Sequence, residues 1–198
     1  MPIDAQVHVA PETAVRTVEL ALRERAAGAT FATPRLRQAQ IGVLAHSMPH
    51  RVVSLSLSRV KGGGTLREMA EDIAWRFLIH EGDQVIAAAR AVPGEAGGYD
   101  LGELSEGEFA AGTERAIVFA ESLPQVQAGR FEAILTIVPE AYVVALWLRD
   151  LAGTSDLVLP IPGIAASNHQ WHPDQVMKAD AFVEKLRDLA RRGRGRGR

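Results

Sequence analysis

Cysteine is absent from this chain of 198 residues. That removes disulfides, iron–sulfur clusters, thiolate zinc sites and a cysteine nucleophile together, and leaves the redox compartment unspecified. Long apolar runs are also missing. The greasiest stretch, residues 133–148, is broken by Thr136, Pro139 and Glu140 and is too short to span a bilayer. The first residues carry neither a basic segment nor an apolar run of signal-peptide length, so a cytoplasmic protein with no membrane contact is the expectation. Motifs are scarce as well. No Gly-x-Ser-x-Gly elbow occurs, and Lys61-Gly62-Gly63-Gly64-Thr65 matches neither a P-loop nor a dinucleotide fingerprint. That glycine cluster reads as a flexible connection, and no cofactor is indicated.

What is present is ordinary for a folded protein, at 47% hydrophobic and 23% charged residues. The unusual feature is the distribution of charge. Arg191, Arg192, Arg194, Arg196 and Arg198 lie in a glycine-interleaved tail with no side chain able to build a core. Removing these five charges from the net −2 leaves residues 1–190 at −7. The chain therefore reads as one acidic globular domain over residues 1–190, with 93–104 as the alternative place to divide it, followed by a flexible Arg/Gly tail, 191–198. Alternating arginine and glycine resembles the RG-rich strings that bind RNA. Contacts of this kind are salt-sensitive and blind to sequence, with dissociation constants of about 10⁻⁴ to 10⁻⁶ M. An acidic protein surface would satisfy the same charges, and the tail contains no aromatic residue for base stacking.

Hydrophobic periodicity predicts an α+β fold: a mainly antiparallel sheet of about five or six strands flanked by three or four helices. Helices are expected over 12–27, from a capping box at Thr65 and Glu68, from a second box at Ser105 and Glu108, and over 173–191. The clearest strand is expected at 51–60, where Val53, Leu55 and Leu57 alternate with serines, with 40–46 as its antiparallel partner. Residues 66–92 read as a short helix followed by a hairpin, against the helix preference of Ala87, Ala88 and Ala89. Residues 93–104 read as a long Gly/Pro loop. The segment 131–149 reads as a hairpin apolar on nearly every position, which places it at the sheet centre or against a subunit partner. Both halves share a helix-then-hairpin order.

Function is argued from three residue sets. The hairpin supplies a candidate partner interface in Phe131, Ile137, Tyr142, Val144 and Trp147. The tail supplies a candidate polyanion contact. His46 and His50, four apart, and His169 and His172, three apart, are candidate metal ligands, although Pro49 interrupts the first pair and no carboxylate completes a known ligand string. The leading expectation is a non-enzymatic binding or assembly subunit with a protein partner or a second copy of itself, and weak non-specific nucleic-acid contact through the tail. The alternatives are a small-molecule enzyme with a histidine-containing, metal-dependent site, and a nucleic-acid-associated regulatory protein. Carboxylates such as Glu71, Asp72, Asp100, Glu103 and Glu106 read as solvated helix-turn and loop charges.

Overall fold

The computed structural model describes residues 3, 9–28, 31, 33–39, 44–153, 155–161, 171 and 175–192. Chain order is α1 (Glu12–Ala27), α2 (Pro34–Gln38), β1 (Leu44–Ser54), α3 (Leu57–Gly62), α4 (Leu66–Met69), β2 (Glu71–Glu81), β3 (Gln84–Pro93) and β4 (Tyr99–Glu106). Then come α5 (Glu108–Ser122), α6 (Pro124–Gln127), β5 (Phe131–Val138), β6 (Val143–Asp150), β7 (Leu157–Pro160), β8 (Met177–Lys178) and α7 (Ala179–Arg192). The strands form one sheet in the order β4-β3-β2-β1-β5-β6-β7-β8. Every neighbouring pair is antiparallel except β1 and β5, where Arg51 lies opposite Ile134 in parallel.

This corrects the expected sheet of five or six strands with three or four helices. The sheet is mixed and has eight strands, and seven helices are present among the described residues. Two meanders, β1–β4 and β5–β8, meet at the single parallel pair, which matches the shared element order of the two halves. No helix among the described residues is long and apolar enough to cross a membrane.

Local chemistry accounts for the differences in the first half. β1 is one strand through His50, with a bulge between Ser47 and His50 and Met48 at φ 48°, rather than two strands joined by a turn. It ends at Ser54 because Ser56 turns its hydroxyl onto the Arg59 amide and starts α3, so Leu57 belongs to a helix. The region expected to be a loop is a tight turn and a strand. Gly94 N–H donates to Gly98 O at 3.1 Å, Gly97 and Gly98 adopt φ values of 84° and 80°, and β4 begins at Tyr99. Ser105 therefore lies in β4, and Gly107, not Ser105, precedes α5. The Thr65–Glu68 box forms as expected.

The short helix and hairpin over 66–93 also form. Ala87 and Ala89 sit under α1, whereas Ala88 meets Ala110 of α5 on the opposite side. Small side chains at these positions let helices approach both faces of β3, which overrides their helix preference. α1 and α7 cover one face, α7 over Val53, Ile134, Ala145 and Trp147. α5 covers the other over Val52, Ala74, Leu135 and Leu146. Asp156 ties the far end of the second meander together. Its carboxylate accepts from Arg67 Nε at 2.8 Å, Trp147 Nε1 at 3.0 Å and the Asp150 amide at 2.9 Å. Burial opposes its ionisation, but these donors outweigh it and hold its pKa below the ordinary carboxylate value.

Candidate functional site

The chain carries a cleft of about 260 Å³ lined by Arg51, Asp72, Ala74, Trp75, Pro93 and Tyr99. Its position follows from the first meander. The register sets Arg51 opposite Trp75, Trp75 opposite Ala91, and Pro93 opposite Tyr99, so the end of β1 and the β3–β4 turn come together. Thr17 of α1 donates its hydroxyl to Tyr99 O at 2.8 Å and fixes one wall. Two half-buried aromatic rings and a proline thus face an ion pair.

That ion pair is held from beneath. Arg51 donates from Nε to Asp72 Oδ1 at 2.8 Å and from Nη2 to both Asp72 oxygens at 2.5 Å. Its Nη1 donates to Glu132 Oε1 at 3.2 Å. Glu132 is 1% exposed, lies on the same face as Ile134, and its second oxygen contacts Arg149 as an ion pair rather than an aligned hydrogen bond. Burial alone would depress the Arg51 pKa, but the Asp72 hydrogen bonds and the Glu132 charge raise it instead. Asp72 is the more accessible partner, with 61% of its side chain exposed. Such a site offers fixed charges and aromatic surface. A guanidinium this firmly held does not trade protons near neutral pH.

The histidines are arranged differently from a shared ligand set. His46 pairs with Ile79 in register, stacks edge-on against Phe77 and lies 3.2 Å from Glu19. His50 is buried and pairs in register with Arg76, whose side chain reaches α5. The bulge at residues 47–50 therefore sends the two rings to opposite faces of the sheet. His169 and His172 lie outside the described residues, among which no group of three potential metal ligands occurs. Ser47 and His80 form a close hydroxyl–imidazole contact, but no described carboxylate bonds the other ring nitrogen.

Of the hairpin residues, Phe131, Val144 and Trp147 are each 3% exposed and packed inside the chain, and Ile137 is half-buried against the α5 side. Helices of the same chain cover both faces of the hairpin. Tyr142 alone projects, at 72% exposure and φ 52°, from the hairpin tip. Arg191 and Arg192 are exposed at the end of α7, with Arg191 3.2 Å from Asp188, and Arg194, Arg196 and Arg198 lie outside the described residues. The carboxylates are less free than their spacing implied. Glu106 accepts from the Arg35 and Leu36 amides at 3.1 and 2.6 Å, capping α2 from β4. Burial works against its ionisation, yet the neighbouring Thr33 hydroxyl and these amides lower its pKa.

Sequence reading missed Arg51, Glu132 and Arg149, and took Asp72 for a solvated charge. The available signal was a charge at the second position of an otherwise apolar strand, Phe131-Glu132-Ala133-Ile134-Leu135. Its partner lies 81 residues away, which no local pattern reveals. No family model matches the chain, and neither a curated protein nor a solved structure matches it.

Proposed function

We propose that this protein is a non-enzymatic binding or assembly subunit that takes a side chain of a protein partner into the cleft between Trp75, Pro93 and Tyr99. The observation that carries the reading is the Arg51–Asp72 pair set against two aromatic walls. It supplies orientation and charge complementarity for a partner side chain. At about 260 Å³ the cleft is smaller than an ordinary drug-sized pocket, of about 300 Å³ or more, and suits a single side chain. The expected apolar contact contracts to the hairpin tip at Tyr142, because the remainder of that surface is occupied by α5 and α7. The tail arginines, beginning with the exposed Arg191 and Arg192, add a contact to a polyanion or an acidic surface.

The sheet edges support this choice. β4 is a terminal strand carrying the exposed charges Asp100 and Glu103, and its ends are bound to α1 and α2. An edge arranged in this way discourages strand addition. The test is affinity capture from extract of the producing cells with the full-length chain, Asp72→Ala and Tyr99→Ala, each variant first checked for folding by circular dichroism. A partner retained by the parent and reduced about tenfold, or about 1.4 kcal/mol, by either variant supports the reading. Equal recovery by all three contradicts it.

A further inference from the structure

The opposite face of the same meander carries excess positive charge under a helix. Across the sheet, His50 of β1 lies opposite Arg76 of β2, Arg76 opposite Arg90 of β3, and Arg90 opposite Glu103 of β4. These four residues form one transverse rung on the α5 side. Arg76 is 3% exposed. Its Nη1 donates to Thr113 Oγ1 at 2.7 Å, and its guanidinium carbon lies 4.2 Å from the centre of the Phe109 ring. Thr113 donates its own hydroxyl hydrogen bond to Phe109 O at 2.8 Å.

No described carboxylate pairs with Arg76. Its Nη2 and the Nε of Arg90 are both buried without a hydrogen-bond partner. Burial lowers the Arg76 pKa to about 10, the Arg90 charge adds to the lowering, and Glu103 opposes it. Like charges directly opposite on neighbouring strands repel, and a buried donor left unmade is costly.

Surrounding carboxylates are committed elsewhere. Glu106 caps α2, Glu108 pairs with Arg115 at 2.8 Å, and Glu103, 50% exposed, pairs with Arg90 at 3.2 Å. The first turn of α5, which presents Phe109 to Arg76, has Gly107 before it and no side-chain cap. The positive end of the helix dipole adds to the same imbalance. Arg90, Glu103 and Phe109 are each partly exposed, so the rung opens to solvent at its β3–β4 end.

We propose that Arg76 and Arg90, beneath the uncapped first turn of α5, bind a small doubly charged oxyanion of the phosphate type. The unfilled donors, Arg76 Nη2 and Arg90 Nε, are its first ligands, and Glu103 is the group it displaces from Arg90. Guanidinium pairs suit phosphate oxygens because their donors are planar and permanently charged. The site is independent of the Trp75–Tyr99 cleft.

The experiment is titration calorimetry on the full-length chain at constant ionic strength, with inorganic phosphate and glycerol phosphate in separate arms and acetate as the control. Thermal melts run in parallel, because phosphate also stabilises proteins generally by exclusion from their surface. Saturable one-to-one binding, with a melting temperature that rises as binding linkage requires, is expected from at least one phosphate arm and not from acetate. The tighter arm tells free phosphate from an ester. Arg90→Gln, on a partly exposed residue, abolishes the binding. Glu103→Gln removes the competing carboxylate and tightens it by about two- to fivefold, the range of a partly exposed ion pair. Absence of saturable binding in both arms at about 10 mM, or equal binding by Arg90→Gln, overturns the proposal, since a generic salt effect survives the variant.

Discussion

Replacing Glu132 by glutamine keeps the volume of a buried side chain and removes the charge that two arginines share. Glu132 is 1% exposed, whereas the Arg51 and Arg149 side chains are 24% and 31% exposed. Removing one member of a fully buried ion pair destabilises by about 3–5 kcal/mol. Two features reduce that figure here: water reaches both guanidiniums, and Arg51 retains Asp72. The expected loss is therefore about 2–3 kcal/mol, most of it from the positive charges left facing each other across β1, β5 and β6. The assay is urea unfolding of the parent, Glu132→Gln, Arg149→Met and the double variant, read as a change of midpoint at constant slope. In the double variant the stranded charge on Arg149 disappears with its partner. Its loss should then fall short of the sum of the single losses by about 1–2 kcal/mol. A loss below about 0.5 kcal/mol for Glu132→Gln, or strict additivity, would show that the triad contributes nothing to holding Arg51.

Three further outcomes follow from particular residues. Asp156→Asn should destabilise the protein at neutral pH. The folded-state pKa of Asp156 lies below its unfolded value of 3.8, so its contribution is complete above that pH and is lost as pH falls through the folded value. The gap between parent and variant in urea midpoints should accordingly close in acid. Thr65→Ala removes the hydroxyl that accepts from the Glu68 amide at the start of α4, leaves the Thr65 N–H to Glu68 Oε2 in place, and should cost about 1 kcal/mol in the same assay. Tyr142→Gly relieves a left-handed backbone at an exposed tip and should leave stability within about 1 kcal/mol of the parent while weakening partner capture.

Much of the architecture was legible where local pattern and tertiary context agree. The periodicity of α1, the Thr65–Glu68 box and the apolar hairpin of β5 and β6 each carried their own signal. Apolar residues on both faces of the hairpin left the sheet centre and a subunit contact open, and β5 and β6 lie inside the sheet between β1 and β7. Reading failed where two local signals competed. Val53, Leu55 and Leu57 continue a strand alternation, but Ser56 caps a helix within it. Ser105 and Glu108 have the spacing of a capping box, yet Ser105 pairs with Ala88 in the sheet and Gly107 makes the turn. Pro93 and the five glycines from Gly94 to Gly107 obscured β4, although the turn itself needs only residues 94–98. The cleft was illegible for a different reason. Its walls come from β1, β2 and the β3–β4 turn, and the registers that bring Arg51 to Trp75 and Pro93 to Tyr99 depend on bulges within the ladders. The hairpin's apolar surface was legible, but not what covers it, because α5 and α7 come from opposite sides of it in the chain.

The most direct measurement is hydroxyl-radical footprinting of Trp75 and Tyr99 in the free protein and in the complex with a captured partner. Trp147 and Trp171, at 3% and 5% exposure, serve as internal controls. Recognition through the cleft predicts that both aromatic residues lose reactivity several-fold on binding while the control tryptophans stay unreactive. Unchanged reactivity at Trp75 and Tyr99, with protection confined to other surfaces, would contradict the assignment of the cleft as the contact site.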